Sequence, residues 1–192
     1  GKMHGEGVFH FASGAKYEGE LRCGRMHGEG SHTYADGSRY TGDFKHGLKD
    51  SSHATYLLAD GTVFHGPFKV GLMEGCGKAL YANGAVYEGN YRRGERNGSG
   101  HFVSADGDEY RGEWRSGVQH GQGKQTFKHG EIRHYDGLWV RGEIREGEMM
   151  GRDNILRKTR EQDSICGNFV EGRLQGPGML VSPDGATFEG IF

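Results

Sequence analysis

Apolar and polar positions alternate along this chain in short runs, and one run returns eight times. Each opens on an aromatic or aliphatic residue, then x-Gly, and most add a second large residue: Tyr17-Glu-Gly-Glu-Leu21, Tyr40-Thr-Gly-Asp-Phe44, Phe64-His-Gly-Pro-Phe68, Tyr87-Glu-Gly-Asn-Tyr91, Tyr110-Arg-Gly-Glu-Trp114, Tyr135-Asp-Gly-Leu-Trp139, Ile165-Cys-Gly-Asn-Phe169 and Phe188-Glu-Gly-Ile-Phe192. The starts lie 23, 24, 23, 23, 25, 30 and 23 residues apart, a spacing that marks a stacked repeat. Strand side chains alternate faces, so Tyr17, Gly19 and Leu21 share one face while Glu18, Glu20 and Arg22 share the other.

A second alternating run follows in each repeat. Gly28, Gly30, His32 and Tyr34 share a face, and the glycine pair predicts a place where the aromatic ring of a neighbouring repeat lies flat against bare backbone. Short polar segments such as Gly94-Glu-Arg-Asn-Gly98 and Gly117-Val-Gln-His-Gly121 predict the loop inside each hairpin. Asp36-Gly37, Asp60-Gly61, Asn83-Gly84, Asp106-Gly107 and Asp184-Gly185 predict the turns between hairpins. Glycine recurs too densely for helix, at about 1 kcal/mol each against alanine. The expected fold is all-β, an elongated twisted antiparallel sheet of consecutive β-hairpins. An isolated hairpin is marginal in water, so its stability must come from stacking.

The expected organisation is a single array over residues 1–192, with about seven full repeats starting at 17, 40, 64, 87, 110, 135 and 165 and partial repeats at both ends. Gly1-Lys-Met-His-Gly5-Glu-Gly7 copies Gly24-Arg-Met-His-Gly28-Glu-Gly30, which predicts that the chain opens inside a repeat of a longer array. In the repeat from Tyr40, Ser52 and Ala54 stand where the glycine pair falls elsewhere, both small enough to keep the stack. The repeat from Tyr135 lacks the second glycine of the pair and runs long, so 143–164 reads as an irregular insertion.

Composition excludes several classes. The 37 glycines stand beside 11% aromatic residues, which separates the chain from disordered sequences. Basic and acidic residues, 24 and 26, are interspersed, which argues against nucleic acid. No apolar run approaches the roughly 18 residues needed to span a bilayer, and no leader precedes the repeats, so a cytoplasmic location is expected. Cys23, Cys76 and Cys166 are far apart and odd in number, a poor disulfide set that fits a reducing compartment.

No catalytic constellation appears. The glycine-rich segments lack P-loop spacing, and there is neither a Gly-x-Ser-x-Gly elbow nor His-Glu-x-x-His, so no enzyme activity or cofactor is expected. His4, His27 and His120 share one loop slot. Same-slot residues should line up along an edge, which makes His4, His27 and Cys76 a candidate zinc set against the plainer reading of polar loop residues. Arg92 and Arg93, with Arg157, Lys158 and Arg160, are candidates for acidic phospholipid. Tyr87, Tyr110, Trp114, Tyr135 and Trp139 are candidate partner-binding aromatics on a concave face, the alternative being core. Met149 and Met150, like Leu72 and Met73, break the polar habit of their loops and suggest contacts.

Tyr110-Arg-Gly-Glu-Trp-Arg-Ser-Gly-Val-Gln-His-Gly-Gln-Gly123, with Asp-Gly before the next aromatic in most repeats, resembles the membrane occupation and recognition nexus (MORN) repeat over essentially the whole chain. The resemblance implies an extended grooved sheet that binds proteins along the groove, dimerises, and builds cytoskeletal scaffolds near membranes. Touching acidic phospholipid is a further implication. The function expected is a non-enzymatic scaffold for cytoskeletal or membrane-associated proteins. The alternatives are a phospholipid-binding module and a regulatory array of a larger enzyme. Self-association is expected as a homodimer through a terminal region, most of all the carboxy-terminal one, because open strand edges invite pairing. The location that follows is cytoplasmic and cytoskeleton-associated, at the cytoplasmic face of a membrane.

Overall fold

The computed structural model describes residues 2–130 and 132–151, together with the backbone of strands at 156–159, 166–170, 173–181 and 187–191; side chains are described as far as Arg145. All regular structure among the described residues is β-strand. The strands fall into two compact units, Gly1–Arg96 and Asn97–Phe192.

In the first unit, β1 (Gly5–His10), β2 (Lys16–Arg22), β3 (Arg25–Thr33) and β4 (Arg39–Lys45) pair antiparallel in chain order. The short β5 (Leu48–Lys49) extends the pairing of β4, which continues on β6 (Ser51–Leu57). Then come β7 (Val63–Lys69), the short β8 (Leu72–Met73), β9 (Gly75–Leu80) and β10 (Val86–Arg92), again antiparallel. The second unit holds most of β11 (Glu95–Val103), then β12 (Glu109–Arg115), β13 (Val118–Thr126), β14 (Ile132–Val140), β15 (Glu143–Gly151) and β16 (Leu156–Thr159) in the same manner. β17 (Cys166–Val170), β18 (Arg173–Val181) and β19 (Thr187–Ile191) form a three-stranded sheet. The fold is thus all-β, an open antiparallel sheet of strands paired in chain order.

Each repeat is a hairpin, but its loop is tighter than expected. Cys23-Gly24, His46-Gly47, Val70-Gly71, Arg93-Gly94, Ser116-Gly117 and Arg141-Gly142 are two-residue tips in which both residues have positive φ. That backbone twist matches the twist of paired strands. Residues 95–98 and 118–121, expected as loop, are already strand. Among the described residues the turns between hairpins form as predicted: Gly37 N–H donates to Tyr34 O, and Ser38 N–H donates to Asp36 Oδ1 at 2.9 Å; Asp184-Gly185 lies outside the described residues.

The glycine pair has two separate duties within its own hairpin, and the next repeat's tryptophan also reaches it, Trp114 and Trp139 donating Nε1–H to Gly100 O and Gly123 O. The first glycine sits in a bulge: Gly19 pairs with Gly30 but Glu20 with His27, and Gly28 takes φ 57° there, as Gly121 takes φ 60°. The second makes room for the tyrosine of its own hairpin. A Cβ on Gly30 would lie 2.5 Å from the Tyr17 hydroxyl oxygen, and one on Gly77 would lie 2.5 Å from Phe64 Cζ. In the tyrosine repeats a hydrogen bond also holds the ring there, while Phe64 takes the same seat without a hydroxyl. Tyr17 Oη donates to Glu20 O at 2.9 Å, Tyr40 to Asp43 O at 3.1 Å, Tyr87 to Asn90 O at 3.1 Å, Tyr110 to Glu113 O at 3.0 Å and Tyr135 to Leu138 O at 3.3 Å. Each ring therefore leans along its own strand.

Adjacent repeats meet through the second aromatic instead. Phe44 stands edge-on to Tyr17 and to Tyr40, with ring centres 5.2 and 5.0 Å apart, and Phe68 bridges Tyr40 and Phe64 in the same way. Trp139 bridges Tyr110 and Tyr135, and its Nε1–H donates to Gly123 O at 3.2 Å. Edge-to-face rings are a favoured aromatic geometry. This herringbone is the core of each unit.

The two departures are absorbed locally. In the repeat from Tyr40, the serine hydroxyl of Ser51 donates to Asp43 Oδ2 at 2.9 Å, Ala54 faces Gly66, and Tyr40 stays fully buried. In the repeat from Tyr135, residues 143–151 are not irregular. They form β15, in which Gly147 pairs with Gly137 and lies against the Tyr135 hydroxyl as the second glycine does elsewhere. What is missing is one bulge residue: Arg145 alone is extra between the pairs Leu138–Glu146 and Trp139–Ile144. Residues 152–155 and 160–165 lie outside the described residues.

Candidate binding face

Hairpin tips and ring faces arise from the same register. Each tip glycine donates its N–H to a carbonyl nine positions past the first aromatic of the preceding repeat: Gly47 to Met26 O, Gly71 to Lys49 O, Gly94 to Met73 O and Gly142 to Gln119 O. Residues at that position, namely Met26, Lys49, Met73 and Arg96 in the first unit, are half-buried.

Lys49 is unlike its methionine neighbours. Its Nζ lies 3.8 Å from the centre of the Tyr56 ring, 5.0 Å from Tyr34, 5.3 Å from Tyr40 and 5.5 Å from Phe68. Burial among the rings pushes the amine down to about 8. Arg96 similarly lies 5.5 Å over the Tyr87 ring. Burial raises the Tyr34 and Tyr87 phenols to about 12 each.

Beside Tyr34 opens a cavity of about 410 Å³ lined by Phe11, Ser13, Ala15, His32, Tyr34, Ala35 and Asp36. His32 is buried, its ring centre 4.1 Å from that of Tyr34 and 5.5 Å from that of Phe11. Neither of its nitrogens has a hydrogen-bond partner. Burial first, then the Lys49 charge, lowers its pKa.

The hairpin tips of the first unit carry the exposed apolar residues Leu48, Val70 and Leu72. The Gly71-to-Lys49 bond places Val70-Gly71-Leu72 beside Leu48-Lys49. Val70 has φ 51° and is 62% exposed, so a β-branched residue holds a left-handed conformation with little packing in return.

The residues singled out by sequence fare unequally. Tyr87, Tyr110, Tyr135 and Trp139 have no exposed surface and Trp114 has 5%, so they are core and not an open partner surface. Met149 and Met150 pair with Tyr135 and His134 in the backbone ladder of β15; their side chains lie outside the described residues. Arg92 and Arg93 are exposed, and Arg93 N–H donates to the Glu74 carboxylate at 2.8 Å. Arg157 and Lys158 belong to β16, while Arg160 lies outside the described residues. The zinc set does not assemble. His4 Nε2 meets Cys23 Sγ at 3.5 Å, and the His27 ring faces His46 at 5.9 Å, because a tip lies beside the preceding repeat rather than beside its own slot-mate. Among the described residues no three His, Cys, Asp or Glu side chains come together as a metal site.

Lys49, His32, Tyr34, Tyr56 and Val70 were missed. For Lys49 a signal existed: aligned by repeat, it is a cation between two methionines, Met26 and Met73.

Against models of known families, the MORN repeat matches residues 1–16, 17–39, 40–63, 65–86, 87–109, 110–131 and 166–187. The chain belongs to the MORN repeat family. No curated protein matches the sequence. Among solved structures, this MORN array is similar to the TCP domain of Drosophila melanogaster SAS-4 in complex with a proline-rich motif of Ana2. That chain is 11% identical with a TM-score of 0.43, over 81% of this chain and 90% of that one. The TCP10 domain of Danio rerio CPAP in complex with a peptide of STIL is 11% identical with a TM-score of 0.35, over all of both chains. An inactive virginiamycin B lyase from Staphylococcus aureus is 8% identical with a TM-score of 0.22, over 96% and 93%. Values this low carry no argument about activity or partner.

Proposed function

We propose that this MORN array is a non-enzymatic scaffold that binds other proteins, with the tips of its first unit as a contact edge. The observation that carries this is Val70. A β-branched side chain in the left-handed region is strained, and such strain points to a role outside folding. Val70 stands exposed beside Leu48 and Leu72, where a polar residue would serve the fold better.

The scaffold reading extends to a homodimer formed near a terminus and to cytoskeletal or membrane-associated partners in the cytoplasm. For self-association the support is physical: open strand edges favour pairing with another chain. For phospholipid the described residues offer less, since Arg93 stands beside Glu74 and not in a block of one sign.

Two measurements test the reading. Quantitative affinity capture should compare the wild-type chain with the Leu48→Ser, Val70→Asn, Leu72→Ser variant; identical captured proteins would overturn the contact edge. Light scattering across a concentration series should show a dimer, and a monomer at every concentration would remove that part.

A further inference from the structure

Met26, Lys49 and Met73 each stand nine residues past the first aromatic of their repeat. The position takes a long neutral side chain in two repeats and an amine in the one between. Around that amine stand Tyr34, Tyr40, Tyr56 and Phe68, their ring centres 3.8 to 5.5 Å from Nζ. Lys16 and Lys78 each pair with a glutamate, whereas Lys49 pairs with no carboxylate and donates no hydrogen bond. The carboxylate whose charge it feels, Asp36, is engaged by the N–H and the hydroxyl of Ser38. The other titratable groups facing it are the three phenols and the imidazole of His32.

The amine can still be reached. Among the described residues, the enclosed side-chain nitrogens and oxygens that lack a hydrogen-bond partner belong to His32 and Tyr91. Lys49 Nζ also lacks one and its residue is half-buried, so the nitrogen touches solvent. Burial lowers the amine to about 8, which leaves about a quarter of it neutral at about pH 7.5, against about a thousandth of an ordinary lysine. A desolvated neutral amine is an activated nucleophile. Turning it into an amide takes a charge away from the rings and leaves a long neutral chain, the kind of side chain that Met26 and Met73 supply at this position.

We infer that Lys49 is an acylation site, taking a short acyl group from an acyl thioester or an acyl phosphate. Nζ attacks the acyl carbon, and a new C–N amide bond replaces the C–S or C–O bond of the donor. The thiolate or phosphate departs, and the proton lost by nitrogen passes through solvent to it. The folded chain gains stability from the loss of the charge.

The test incubates the whole chain with acetyl coenzyme A or, in a second arm, with acetyl phosphate at about pH 7.5, and follows the occupancy of each lysine by peptide mass spectrometry. Lys49 should be labelled about tenfold faster than the exposed Lys45 and Lys69, because its larger neutral fraction outweighs the weaker nucleophilicity of a less basic amine. The arm that shows the preference identifies the donor. In concentrated urea the preference should vanish, since the rings no longer surround the amine. Equal or slower labelling of Lys49 with both donors, or a preference that persists in urea, would overturn the inference. A chain carrying Nε-acetyl-lysine at position 49 alone should melt about 2–4 °C above wild type at about pH 7. A lower melting temperature would overturn the stabilising role of the modification.

Discussion

Lys49 Nζ lies 3.8 Å from the centre of the Tyr56 ring, with three further aromatic rings within 5.5 Å. A cation thus fills the position that Met26 and Met73 fill in the flanking repeats. Attraction to the ring faces offsets part of the cost of removing the ammonium from water.

That geometry makes stability depend on pH. In the folded chain the amine titrates at about 8, below the ordinary lysine value of about 10.4. Between those values the unfolded chain binds more protons, so stability rises with pH; below the folded value both states are charged and the penalty is fully present. Unfolding free energy from urea titrations should rise from about pH 7.5 to about pH 9.5 in the wild type. The rise should be absent in Lys49→Met. Tyrosine ionisation in the unfolded chain, which lowers stability as pH nears 10, is common to both chains, so the difference between wild type and Lys49→Met isolates the lysine.

Gly123, the second glycine beneath the ring of Tyr110, should tolerate a side chain poorly. A Cβ on Gly123 would lie 2.5 Å from Tyr110 Cζ and 2.6 Å from Cε2, so Gly123→Ala should destabilise by roughly 2–3 kcal/mol in chemical denaturation. Gly7 has open space where its Cβ would stand, and Gly7→Ala should change stability by less than about 0.5 kcal/mol. Equal effects at the two positions would refute the ring-seat account.

Val70→Asn should stabilise by about 1 kcal/mol, because asparagine tolerates the left-handed conformation that valine resists. A drop in melting temperature would show that valine is not strained at this tip.

His32→Phe should also stabilise, by about 1–2 kcal/mol, since it removes two unanswered nitrogens and installs the residue that Phe102 provides at the equivalent position. Calorimetry checks this.

Alternation and turn chemistry were legible because they are local. Tyr17, Gly19 and Leu21 share a face by strand geometry alone, and Asp36-Gly37 closes its turn within five residues. The ring seats were not, because period-2 reasoning assigns a face and not a direction along it. Only the contacts of the folded hairpin, Tyr17 on Gly30 and Phe64 on Gly77, decide that the ring covers its own glycines. The same limit left the aromatics open: alternation reads Tyr110 and Trp139 first as core and otherwise as a partner's seat, and their edge-on packing at 5.2 Å makes them core. The pairing of His4 with His27 failed because slot-mates sit a full hairpin apart, while the tip carrying Cys23 reaches back to His4.

By itself, the sequence determined an all-β MORN array: which faces the strand residues share, where the turns between hairpins fall, and which small residues the stack requires. These follow from side-chain alternation and backbone stereochemistry within some twenty residues. The tertiary structure alone decided which unlike residues meet between one hairpin and the next. Bulge size and tip hydrogen bonds set that register, and it brings Lys49 onto Tyr56, gives Gln125 its Gln119, and leaves the His32 nitrogens without a hydrogen-bond partner.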